Sequence, residues 1–105
     1  MTFALLLDLL KKLFPDTYDT AVPAGKTRFI VATRYGMESV YGSDANAWDF
    51  VRVQIDVYTQ DPDDALPGLV RDLLRAWCCP YSVQGVGWDD DAARVRTTLQ
   101  LEVFA

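Results

Sequence analysis

Histidine is absent from the chain. That absence removes Ser-His and Cys-His nucleophile pairs, most zinc sites and the side chain best suited to proton transfer at neutral pH. Cysteine is scarce: Cys78 and Cys79 are the only two, and they are adjacent. Neighbouring cysteines do not readily form an unstrained disulfide, and they lack the C-x-x-C spacing of redox sites. Reduced structural thiols at a helix end are expected, in a reducing compartment. Basic residues are outnumbered, 10 Lys and Arg against 15 Asp and Glu, for a net charge of −5. A surface built to grip nucleic-acid phosphates carries the opposite balance. An acidic protein can still line a conduit through which DNA slides, because repulsion keeps phosphates from sticking. No apolar run is long enough to span a bilayer, since Asp8, Lys11 and Lys12 interrupt the longest one. The basic, apolar and small-residue order of a signal peptide is also missing after Met1, so synthesis in the cytoplasm and no membrane partner are expected.

What is present suits one folded domain spanning 1–105, because half of the residues are apolar and supply one core. In TFALLLDLLKKLF, Phe3, Leu6, Leu7, Leu10, Leu13 and Phe14 fall on one helical face, Thr2 is placed to cap the start and Pro15 to end it. Leu5 and Leu9 lie outside that stripe, so the apolar arc is wider than one core contact requires. A second apolar edge that meets another subunit is one explanation, and deep burial between sheet and loops is the other.

The stretch from Pro15 to Lys26 reads as an irregular connection, followed by a strand from about Thr27 to Tyr35. Gly36 to Asn46 reads as a long exposed inter-strand loop, and long loops in compact domains are often functional. Val51, Val53, Ile55 and Val57 alternate with Arg52, Gln54 and Asp56, the clearest strand pattern in the chain. A second helix is expected from Ala65 to Trp77, capped by Asp63 or Asp64, with Pro67 in its first turn and Arg71 and Arg75 opposite its apolar half. A strand from Tyr81 to Val86, a turn at Gly87 and a last strand over Val95–Val103 complete the order α-β-β-α-β-β. This predicts an α+β two-layer sandwich: a mainly antiparallel four-stranded sheet with two helices on one face.

Catalytic, metal and cofactor roles find no motif. Asp61, Asp63 and Asp64, and likewise Asp89, Asp90 and Asp91, sit at turns or a helix start, where carboxylates act as caps and surface. Three consecutive Asp residues do not match a calcium loop. Gly85 and Gly87 fit a turn, with no following helix to hold an anion. Trp77 belongs to the helix stripe, whereas Trp48 and Trp88 lie at loop edges and are candidates for protein contact. Arg71 and Arg75 on one element and Asp89 to Asp91 on another are either solvated surface or the two halves of a head-to-tail contact between subunits, a type that closes into rings when the rotation permits.

The order of TFALLLDLLKKLF, a strand, a loop, WDFVRVQIDVYTQD running into DALPGLVRDLLRAW, and a closing VRTTLQLEVFA resembles the tail terminator, or tail-completion, proteins of long-tailed bacteriophages. The resemblance rests on element order, small size and the VQIDVYTQDPDDA strand-to-helix junction. It implies a homohexameric ring on the last ring of the finished tail tube, made in the host cytoplasm and residing at the head-proximal end of the virion tail. There it stops polymerisation and presents a surface to the head-tail connector protein, while genome DNA passes the hole without specific binding. The implied partners are therefore the chain itself, the tail tube protein and the connector. The family has no catalytic residues to carry over. Met37, Val40 and Tyr41, in the inter-strand loop, are the candidates for contact with the tube or the next subunit. Other readings are a head-completion or head-tail joining protein, a small bacterial α+β binding or toxin-immunity module, and a carboxylate enzyme with a pocket of converging acids.

Overall fold

The computed structural model describes residues 1–19, 21–40 and 48–104, with side chains described for all of these except 37–40, 48 and 49. Within them the chain runs α1 (Phe3–Leu13), β1 (Thr17–Tyr18), β2 (Phe29–Val40), β3 (Trp48–Thr59), α2 (Leu66–Ala76), β4 (Tyr81–Asp89) and β5 (Arg94–Phe104). The strands form one sheet in the order β1-β2-β3-β5-β4. β2, β3, β5 and β4 pair antiparallel, while β1 pairs parallel to β2 through Thr17 and Tyr18. The α+β class is as expected, but the sheet is five-stranded and mixed. The added strand is two residues long and shows no alternation to read. It forms because the loop after α1 comes against β2, where Ile30 N–H donates to the Asp16 carbonyl at 2.9 Å.

Both helices and one sheet face share a single core. Leu6 and Leu10 of α1, Val70 and Leu74 of α2, and Val53, Ile55 and Leu99 of the central strands are all fully buried in it. Thr2 accepts from Leu5 N–H at 3.2 Å and so caps α1. At the start of α2 the Asp64 carboxylate accepts from Leu66 N–H at 2.9 Å, and Pro67 sits where its missing N–H costs nothing.

α2 ends in a way its sequence does not announce. Cys78 N–H donates to the Arg75 carbonyl and Cys79 N–H to the Leu74 carbonyl, with Cys78 at φ 55°. This is a Schellman termination with cysteine at the left-handed position that glycine usually takes. Cys79 then turns inward beside Leu74, and burial raises its thiol pKa, whereas Cys78 faces out. The adjacent cysteines thus have opposite environments, as a helix end requires.

Two boundaries differ from expectation. β2 continues past Tyr35 to Val40, because a bulge between Arg34 and Gly36 absorbs one residue and lets the pairing with β3 go on. The expected loop therefore overlaps a strand up to residue 40, and its remainder, 41–46 with Tyr41, lies outside the described residues. Gly85 and Gly87 are inside β4, not in a turn, and β4 reaches Asp89 through a second bulge between Val83 and Gly85.

Candidate interaction surfaces

The sheet has a second face, and it is more than a wetted surface. Asp56, in β3, is 6% exposed there. Its Oδ1 accepts from Arg96 Nε at 3.0 Å and Thr98 Oγ1 at 2.8 Å, and its Oδ2 from Gln54 Nε2 at 3.0 Å. Arg96 reaches on to Asp89 at 3.5 Å. Stacked pairs flank this cluster, Phe29 with Tyr58 at 4.7 Å between centroids and Phe50 with Phe104 at 5.2 Å. The cross-strand registers put each pair, and the cluster between them, on the face away from the helices. Every polar group of the cluster is engaged, so it ties β3, β5 and β4 together and offers no free acid or base. Alternation alone marks Asp56 as a solvent-facing residue, and its burial by Arg96 and Thr98 follows only from the β3–β5 register.

The other acids read as turn formers behave as such. Asp61 accepts from Asp63 N–H at 2.9 Å. Asp64 takes Arg28 in a two-pronged pair at 2.9 and 2.8 Å, which holds its carboxyl below the usual range. Asp89 accepts from Asp91 N–H at 3.0 Å and Ala92 N–H at 3.1 Å, closing the β4–β5 turn with Ala93 at φ 52°. Asp90 and Asp91 project from that turn into water. Among the described residues no group of three or more carboxylates or thiols could hold a metal ion.

The arginines of α2 do not stand clear of the fold. Arg71 Nε donates to the Tyr81 hydroxyl at 3.3 Å, and the Arg71 and Arg75 guanidinium carbons lie 6.0 and 5.9 Å from the Tyr81 ring centre. Arg75 also meets Asp72 at 3.5 Å. Both remain cationic edges of an open hollow of about 600 Å³ that includes Cys78, Pro80 and Val83.

Among the described residues, two rows of apolar side chains are left uncovered, apart from the singly exposed Tyr35, Leu69 and Phe104. On α1, Leu5 is 48% and Leu13 53% exposed, with Leu9 half-buried between them, one leucine per turn. On β4, the register places Tyr81, Val83, Val86 and Trp88 opposite Leu101, Leu99, Thr97 and Val95, all on the helix-side face. Yet Val83, Val86 and Trp88 are 44%, 65% and 62% exposed, because the helices do not reach that far across the sheet. Of the residues singled out from sequence, Leu5, Leu9 and Trp88 thus lie on uncovered apolar surface, and Asp90 and Asp91 beside it. The side chains of Met37, Val40 and Trp48 are outside the described ones. Sequence reasoning missed Val83 and Val86, whose exposure depends on where α2 stops. The chain matches no protein-family model and no curated protein.

Proposed function

We propose that the protein is a structural, non-enzymatic subunit of phage assembly of the tail-terminator type. It would form a homohexameric ring on the end of the completed tail tube, stop tube polymerisation and offer the head-tail joining surface. The observation that carries this reading is the Leu5–Leu9–Leu13 row of α1. It stays outside a core that Leu6, Leu7 and Leu10 already close. An apolar row of this kind gains from being covered by another chain. Covering it with a different surface of the next copy is a heterologous contact, the type that generates rings. The resemblance in element order supplies the ring's place on the tube. The acidic balance suits a hole that passes DNA without holding it.

Electron microscopy of tail tubes polymerising with and without the purified protein tests the proposal. Rings at one tube end and shorter, uniform tubes are expected. Leu5→Lys with Leu13→Lys should keep the fold and lose the caps. Uncapped tubes of unchanged length would overturn it and return the chain to another neck role or to a small binding module.

A further inference from the structure

β4 is a sheet edge with unusual self-complementarity. Among the described residues it borders β5 on one side and no strand on the other. Long apolar edges that lack charge and proline invite pairing with another chain, and from Tyr81 to Trp88 this strand holds neither. A bulge normally discourages such pairing, and here it falls at Gln84. Because of that bulge, the residues facing the helix side are Tyr81, Val83, Val86 and Trp88, spaced two, three and two apart. That spacing reads the same in both directions.

We infer that two copies pair antiparallel through their β4 edges about a two-fold axis normal to the sheet. In the register that keeps every side chain on its own face, Val83 meets Val86 of the second copy and Tyr81 meets Trp88. The two bulges come opposite each other, where a Cβ at Gly85 would touch nothing within 4 Å. Directly opposed apolar and aromatic side chains are the stabilising unit of an antiparallel pair. Charge agrees with the same register. The Asp90–Asp91 turn lies at the end of β4, and the hollow edged by Arg71 and Arg75 at its start. An antiparallel two-fold brings the acidic turn of each copy to the end of the pair where the other's Arg71 and Arg75 lie, twice per dimer. This contact is isologous and uses the sheet edge opposite β1, the strand that α1 leads into. It is independent of the ring contact and would join two chains in solution or two rings face to face.

Particle mass by light scattering tests this, whatever the wild-type assembly. Val83→Lys with Val86→Lys should halve the mass, dimer to monomer or double ring to single ring, with the thermal unfolding transition retained because both positions are exposed. Arg71→Glu with Arg75→Glu should also halve it, as should Asp90→Arg with Asp91→Arg. Mixing those two charge variants should restore the full mass, since both charge clusters of the mixed dimer are then opposite in sign. A wild-type monomer up to several hundred micromolar overturns the inference. So does a mass that the Lys variants leave unchanged, or charge variants that fail to recombine. Loss of tube capping alone would bear on the ring and leave this contact standing.

Discussion

β5 and β4 are neighbours in one sheet, paired from Tyr81 and Leu101 to Asp89 and Arg94, yet their environments are opposite. Along β5 every second residue from Val95 to Val103 is buried, whereas along β4 none is. Strand chemistry does not separate them, since both carry apolar residues on the helix-side face. The separation comes from reach: the helical layer covers β3 and β5 and stops at Tyr81, where Arg71 and Arg75 close over the ring. A side chain one strand further out is in the same sheet and outside the core. The contrast separates residues that hold the fold from residues available to a partner.

The contrast is broken most severely from the β5 side. Leu99→Ala removes a fully buried side chain and should cost about 3 kcal/mol, whereas Val86→Ala, two-thirds exposed, should cost under about 0.5 kcal/mol when unfolding is measured at low protein concentration. Urea denaturation of the two variants checks both. Next in size is the polar cluster on the far face. Asp56→Ala leaves Gln54 and Thr98 without their acceptor and Arg96 with only its long contact to Asp89, and should lower the unfolding free energy by about 2 kcal/mol.

Smaller and opposite in sign are the two left-handed residues on either side of β4, Cys78 before it and Ala93 in the turn that follows. Cys78→Gly and Ala93→Gly each relieve a Cβ clash and should raise stability by up to about 1 kcal/mol, read as a higher midpoint in the same titration. Smallest is the pH effect of Asp64. Its carboxyl is held low mainly by the hydrogen bonds from Arg28. The stabilisation is therefore present above the unfolded pKa, near 4, and is lost as pH falls through the lower folded value. Arg28→Gln should leave a shallower acid limb between pH 5 and 3, to be read from midpoints on either side of about pH 4.

The parts legible in the sequence are those whose pattern is local. Val51 to Val57 and Val95 to Val103 alternate because one sheet face meets the helices, and Thr2, Pro15 and Asp64 mark helix ends by their own hydrogen-bonding chemistry. What escaped depends on distant partners. β1 exists only because β2 is beside it, and Gly85 and Gly87 extend only because β5 pairs with them. Asp56 is buried only by side chains that arrive from β5. The helix end at Cys78 was hidden because a cysteine occupies glycine's place. Of the candidate surfaces, the Leu5 and Leu9 row was readable as an arc too wide for one core. The Val83–Val86 edge was not, since it reflects how far a helix extends across the sheet.

Hydrogen exchange along β4, followed against protein concentration, bears most directly on the claim that uncovered apolar surface here exists to meet another copy. Amides of 81–89 that point away from β5 should exchange quickly in dilute protein and slow at least tenfold as concentration rises, while those that donate to β5, and those of β5 itself, stay slow throughout. Exchange of β4 that is the same at every concentration would contradict it.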